Sequence, residues 1–284
     1  MFPIALVLVI TSGLLNAVWN LFAKRSLNKG VFLWSLQWVA VIVFLPWAVG
    51  AIKHRQIPLQ GWMFLILSAL LHGIYVMLLV RTYESGEFSQ VYPLMRSVSP
   101  ILVPMLGILI LGERLSIVGW FAIAAISVGI WMLGDWRFCR GTNDGRPSKS
   151  TGRALLVGLA ITSYTTFDKV TLHYIPAVTL NDAGNFANLV ALSWGAVRSR
   201  AIKSEWIRNG KSIVLGGILS PGAYLLFLLA LHRAPVAQLA PMREVGTVFG
   251  TILGIIVLRE TQGRRRIIAA GWIALGVFLL GTWG

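Results

Sequence analysis

Long apolar blocks alternate with short polar breaks along the whole chain. The blocks fall near residues 3–21, 31–50, 62–81, 89–111, 116–134, 152–169, 178–197, 212–231, 236–258 and 266–283. Each is about 18–23 residues, the length at which a helix crosses roughly 30 Å of hydrocarbon. Lipid offers no partner to backbone N–H and C=O groups, so each block must be helical. The pattern predicts an all-α integral membrane protein with ten transmembrane helices. The first block has no basic residue ahead of it and no small-residue cleavage site. It runs into Trp19, Asn20 and a basic turn, and is expected to be a retained helix, not a signal peptide.

The pattern also occurs twice. The stretch from Tyr83 to Gly134 returns from Leu231 to Gly281. A shift of 147 places Arg96 on Arg243, Gly107 on Gly254, Glu113 on Glu260, Gly129 on Gly276 and Gly134 on Gly281. A one-residue slip then brings Gln90 onto Gln238 and Pro93 onto Pro241. A shift of 145 matches Gly13 to Gly158, Trp19 to Tyr164, Phe22 to Phe167 and Lys24 to Lys169, while Tyr75 matches Tyr224 in the third span of each half. Self-similarity on this scale means a chain built from two copies of one unit. The boundary is the polar run 135–151, rich in Gly, Pro and Ser, which reads as a linker. The halves are therefore expected at 1–134 and 152–284. Five spans is an odd number, so the second half enters the membrane from the opposite side. The two five-helix repeats are then inverted, an arrangement frequent in secondary transporters, with the solute site between the repeats near the midplane.

Composition agrees with this class. Apolar residues make up 56% of the chain and charged residues only 12%, about half the charge of a soluble protein. Cys139 stands alone and can form no internal disulfide. His54, His72, His173 and His232 show no ligand spacing, so no metal or other cofactor is expected. No G-x-x-x-x-G-K-[ST] loop is present to harness ATP.

The run YPLMRSVSPILVPMLGILILGERL, the Trp-Asn near the end of the first span, the duplicated five-span unit and the ten-span total resemble the EamA-like branch of the drug/metabolite transporter superfamily. The resemblance covers nearly the whole chain. It implies a central cavity lined by spans 1–4 and 6–9, with spans 5 and 10 at the periphery. It implies transport of a small metabolite such as an amino acid, sugar, nucleotide sugar or drug. One departure is the Leu-Arg-Glu of 258–260 where the first copy has Leu-Gly-Glu at 111–113.

Ionisable and polar residues inside the spans are the candidates for function. An arginine at depth costs at least about 2.5–3.5 kcal/mol on insertion scales, so it must face protein, water or a partner. Arg96 and Arg243 lie at matching depth, and Glu244 adjoins the second. They are read either as clamps on carbonyls freed by Pro93, Pro100 and Pro104, or as groups that meet solute in a net-positive cavity. On the second copy the equivalent face carries Gly246, Gly250 and Gly254, a spacing that lets another helix pack closely. Trp19, Asn20, His72, Tyr75, Tyr92, Tyr164, Asn185, Tyr224 and Gln238 complete the cavity candidates, and Asn181, Asn185 and Asn188 share one helix face. Glu113 and Glu260 are expected to cap the helices that follow them. Asp168 and Lys169 are expected in the headgroup layer.

The formal charge of +15 lies mostly on one side. Of 25 Lys and Arg, 18 fall on the side of the loops after spans 1, 3, 5, 7 and 9, and five on the other. Basic loops stay cytoplasmic, which places both termini outside, whereas the resemblance implies termini inside. The charge faces anionic lipid headgroups, not nucleic acid. The expected function is a secondary transporter in the cell (inner) membrane. It would move an amino-acid-like or anionic metabolite, as an exporter, by alternating access. Coupling would be to protons or an exchanged solute, in a monomer or homodimer. Alternatives are a flippase for a lipid-linked anionic sugar, or, from another class, a membrane-embedded enzyme or sensor. An enzyme would need a nucleophile–base pair at depth, and no such constellation is legible.

Overall fold

The structure, a computed structural model, describes residues 2–85, 88–133, 149–258 and 264–284. Among them there are helices and connecting turns, and no strand. The helices are α1 (Phe2–Arg25), α2 (Lys29–Ile52), α3 (Leu59–Ser85), α4 (Phe88–Leu111), α5 (Ile117–Leu133), α6 (Lys149–Thr171), α7 (Ala177–Arg198), α8 (Ile202–Leu231), α9 (Val236–Met242), α10 (Val245–Leu258) and α11 (Arg264–Trp283). Seven segments are long and apolar enough to cross a membrane, counting α9 and α10 as one; α5 is a shorter apolar helix. In α7 the expected hydropathy is diluted by Asn181, Asp182, Asn185 and Asn188, all buried. The outer surface is apolar instead: Leu109, Ile117 and Trp194 are each 77% exposed. This reversal of the soluble pattern is what a lipid surround requires.

The ninth span differs from the expected single helix. It breaks at Arg243 and Glu244, between α9 and α10. Pro241 lacks a backbone N–H. Beyond it, Glu244 donates to the Pro241 carbonyl and Thr247 to that of Glu244, both bonds of the tighter three-residue kind. By contrast, α4 stays one helix from Phe88 to Leu111 despite Pro93, Pro100 and Pro104.

The halves interlock rather than sit side by side. α1 packs on α8 and α3 on α6; α4 packs on α6 and α1 on α10; α3 packs on α7 and α2 on α8. Each pair is the repeat image of the other, and α2 with α7, α4 with α9 and α5 with α11 pair across the pseudo-twofold axis. The inverted-repeat membrane fold is thus visible in which helix touches which. The closest seam joins α5 to α11. A Cβ on Gly129 would lie 2.7 Å from the Ala269 carbonyl oxygen, and one on Gly276 would lie 2.5 Å from that of Ala122. These two glycines are the pair matched by the repeat, each removing a side chain where a backbone approaches. Of the glycine face on span nine, Gly246 meets α1 at Gly13, while nothing lies within 4 Å of a Cβ on Gly250; at Gly254 no side-chain surroundings are described.

Gly112 ends α4 with φ of 65°, a left-handed turn that glycine adopts without penalty. The chain folds back and the Glu113 N–H donates to the Gly107 carbonyl at 3.2 Å. That turn aims the Glu113 carboxylate away from α5. It accepts from the backbone N–H groups of Val236 at 2.9 Å and Ala237 at 2.8 Å. Glu113 therefore caps α9 in the opposite half, not the helix that follows it. Glu260 and residues 134–148 lie outside the described residues.

Candidate functional site

A cavity of about 110 Å³ lies among α1–α4, α6–α8 and the end of α9. At roughly 10–15 Å³ per water this holds on the order of eight waters, room for a solute of about a dozen heavy atoms. No residue of α5 or α11 lines it, in keeping with the peripheral place implied for spans 5 and 10.

Trp19, Asn20, His72, Tyr75, Arg96, Tyr164, Asn185, Tyr224 and Arg243 all line the cavity. Of the other three candidates, two stand elsewhere and one is not described. Gln238 is half-buried on α9 and does not line it. The Tyr92 side chain lies outside the described residues. Glu244 is 3% exposed and sits behind the wall. Its carboxylate accepts from Arg96 Nη1 at 3.2 Å and from the Thr247 hydroxyl at 3.2 Å. Arg96 thus has a carboxylate partner across the two halves, which adjacency on one helix could never supply to Arg243.

Arg243 is held differently. Its guanidinium lies over two rings, 5.0 Å from the centre of Tyr224 and 4.6 Å from that of Phe227. Such contacts with π faces are attractive by about 0.5–2 kcal/mol. Its buried Nε has no hydrogen-bond partner among the described residues.

The rings themselves form a cluster. His72 stacks on Tyr164 with centres 4.3 Å apart and meets Tyr224 edge-on at 5.4 Å. Tyr75 meets Tyr164 at 5.2 Å, and Tyr164 meets Tyr224 at 6.0 Å. Tyr164 and Tyr224 come from the second half, His72 and Tyr75 from the first.

Amides complete the wall. Asn181, Asn185 and Asn188 of α7 all face the cavity, joined by Asn16 and Gln37. Asn16 is occupied, accepting from Trp19 Nε1 at 3.1 Å and, through its carbonyl, from Asn20 Nδ2 at 2.7 Å. Asn181 Nδ2 donates to the Pro221 carbonyl at 3.2 Å. By contrast Gln37 Oε1, Asn185 Nδ2 and Asn188 Oδ1 are buried and find no partner among the described residues. A buried polar atom left unpaired costs about 1–3 kcal/mol, so these three atoms call for water or solute.

The largest correction concerns Asp168. Expected among the headgroups, it is 0% exposed. Its carboxylate accepts from the Ser68 hydroxyl, lies 3.0 Å from His72 Nε2 and accepts from the Tyr224 hydroxyl at 2.5 Å. Lys169 also points inward, donating to the carbonyls of Leu231 and Ala234 at the end of α8. Sequence reasoning missed Asp168 because a charged pair at the end of an apolar run reads as an interface anchor. Its spacing from Tyr164, one turn away on the same helix face, was the available signal. The cavity lining itself carries two arginines, Arg96 and Arg243, while the carboxylates of Asp168, Asp182 and Glu244 are buried and do not line it.

The EamA-like transporter family model matches residues 3–134 and 152–282. An uncharacterized transporter of Sinorhizobium is 35% identical over 81 residues, 28% of this chain and 57% of that one. A provisionally named sugar uptake protein of Lactobacillus johnsonii is 27% identical over 232 residues, 78% of each chain. The glucose uptake protein GlcU of Bacillus subtilis is 25% identical over 170 residues, 57% of this chain and 54% of its own. A solved crystal structure superposes with a TM-score of 0.75 over 99% of both chains at 14% identity, which shows a shared fold.

Proposed function

The chain belongs to the EamA-like transporter family, and from that premise we propose that it carries a small, uncharged polyhydroxylated solute of the sugar class through the central cavity by alternating access. The observation that carries this reading is the cavity wall. Its two arginines are already engaged, Arg96 by Glu244 and Arg243 by two rings, its aromatic faces are clustered, and unpaired amide atoms stand in the same wall. A sugar ring offers apolar C–H faces to rings and hydroxyls to amides, which such a wall can take up in a fixed orientation. An anion would enter without a spare positive charge to offset its desolvation, apart from Arg243. The names of the Lactobacillus and Bacillus relatives favour the sugar class, and uptake over export.

The break between α9 and α10 supports the transport mode. Discontinuous helices at the repeat interface are where secondary transporters place solute sites, and here the break carries Arg243 into the cavity wall. We place the protein in the cell membrane, with the solute site reached in turn from either face.

Counterflow in proteoliposomes tests the reading. Vesicles are preloaded with an unlabelled sugar, amino acid or dicarboxylate, and uptake of the matching labelled solute from outside is competed by members of each class. Counterflow of sugars, competed by sugars alone, is expected. A second reading, a carboxylate-bearing solute, is favoured by the unpartnered Nε of Arg243. Competition by amino acids or dicarboxylates and not by sugars would establish it, and Arg243→Gln would then abolish that competition.

A further inference from the structure

We infer that Asp168 and His72 form a proton-binding pair that couples solute movement to a proton gradient. This rests on the transport reading above and adds the coupling ion to it. The pair lies beside the cavity: His72 lines it, and Asp168 stands behind. The Asp168 carboxylate is the only fully buried carboxylate among the described residues that contacts a histidine, with Nε2 3.0 Å from Oδ2. Burying such a charge far from a cation is costly, and it persists here because three side chains converge on it.

Those three come from both halves of the protein. Ser68 and His72 belong to α3, Tyr224 to α8, and Asp168 itself to α6. The carboxylate is thus a junction between the repeats. One added proton changes the junction. If it rests on the carboxyl at Oδ2, that oxygen becomes a donor and can no longer accept from both His72 and Tyr224. If it rests on the imidazole, an ion pair with Asp168 forms and the wall gains one positive charge. The first form disturbs the Tyr224 hydroxyl bond directly and the second draws Oδ2 toward the imidazolium that shares it with Tyr224, and the Tyr224 ring is what Arg243 rests on at the helix break, 5.0 Å away. Protonation is therefore wired by direct contacts to the break in the ninth span.

What singles the pair out is the direct contact of a buried carboxylate with a histidine that lines the cavity. Arg96 of α4 is engaged with Glu244. Lys169 of α6 is committed to two carbonyls of the α8–α9 connection. Tyr164 of α6 stacks on His72, and Tyr75 of α3 on Tyr164. From α7 come Gly184, which lies against the His72 ring, and the buried Asp182, whose Oδ1 has no partner among the described residues and which touches no histidine there. Arg243 is the remaining cation near Tyr224, and it carries no exchangeable proton at working pH.

Two measurements separate this inference from the transport reading. Infrared difference spectra of the purified full chain between acidic and neutral pH read proton uptake with no solute present. A protonation signal that disappears in Asp168→Asn and is altered in His72→Gln is expected. Spectra unchanged by either substitution overturn the inference, whatever solute the protein moves. Asparagine keeps the shape of aspartate and one acceptor oxygen, for either Ser68 or Tyr224, and correct folding is checked by gel filtration. Should Asp168→Asn fail to fold, Tyr224→Phe serves, since it removes one donor and must shift the signal's midpoint. The second measurement is glucose uptake into proteoliposomes with and without a proton gradient. One proton per solute supports about tenfold accumulation for one pH unit. A ratio near that value is expected for the wild type, falling to about one in Asp168→Asn whatever the basal rate. A wild type that equilibrates glucose identically with and without the gradient rejects the coupling while leaving the transport reading standing. Absence of any glucose movement beside a normal infrared titration rejects the solute and not the proton site.

Discussion

Arg96 Nη1 lies 3.2 Å from Glu244 Oε1, so an arginine of the first half holds the break in the ninth span of the second. The two residues are 148 positions apart, and the bond crosses the pseudo-twofold axis. It fixes where the chain between α9 and α10 sits, and with it the position of Arg243 in the cavity wall.

Removing Glu244 should therefore cost more than a surface pair would. Glu244→Gln leaves Arg96 without its carboxylate, and we expect a loss of about 3 kcal/mol, the lower end for a broken buried pair, because Arg96 also faces the cavity. The double substitution Arg96→Gln/Glu244→Gln should recover part of this, since no unpaired charge stays inside. Thermal unfolding in detergent reads both. A double-variant loss equal to the sum of the losses in Arg96→Gln and Glu244→Gln alone would mean the pair has no shared energy.

Glu113 accepts from two backbone N–H groups at the start of α9. Substituting the cap by alanine should cost about 1–2 kcal/mol locally, and the carboxylate also faces the positive end of the helix. Amide exchange at 236–240 should then accelerate on the order of tenfold, while exchange in α5 stays as it was. The reverse pattern would restore the reading in which Glu113 serves the helix that follows it.

The α5–α11 seam tolerates no side chain at Gly276, where a Cβ would lie 2.5 Å from a carbonyl oxygen that cannot rotate away. Gly276→Val should destabilise by about 1–3 kcal/mol, the usual range for overpacking. Gly250→Ala, with nothing within 4 Å of the new Cβ, should be close to neutral. Melting temperatures of the two variants make the comparison.

Asn185 separates stability from binding. Its Nδ2 has no partner among the described residues, so Asn185→Leu removes a desolvated amide without breaking an observed bond. Stability should hold or rise. Solute affinity should fall by about 1–1.5 kcal/mol, or roughly five- to tenfold, the net worth of a hydrogen bond. Competition counterflow measures the affinity and thermal unfolding the stability. A variant that unfolds easily and still binds would show Asn185 to be part of the scaffold.

Much of the architecture was legible along the chain. Span length follows from bilayer thickness, and helicity from the lack of water, so the apolar blocks named the helices without knowledge of their neighbours. The glycines matched by the repeat, Gly129 and Gly276, predicted equivalent positions and turned out to meet the same seam from its two sides. The asparagine face of α7 was readable because helical spacing alone puts 181, 185 and 188 together. Gln238 misled for the opposite reason: its match to Gln90 said that the positions correspond, and not that either faces the cavity.

By itself, then, the sequence determined that the chain crosses the membrane repeatedly, that one unit is used twice in opposite senses, and which side chains are too polar to face lipid. Only the tertiary structure decided their partners: Glu244 with Arg96, Glu113 with α9, Asp168 with His72, Ser68 and Tyr224. Hydropathy and periodicity are properties of neighbours in sequence, set by lipid and by helix geometry. A charge inside a bilayer is instead stabilised by whichever group stands across from it, and in an interlocked pair of inverted repeats that group comes from the other half of the chain.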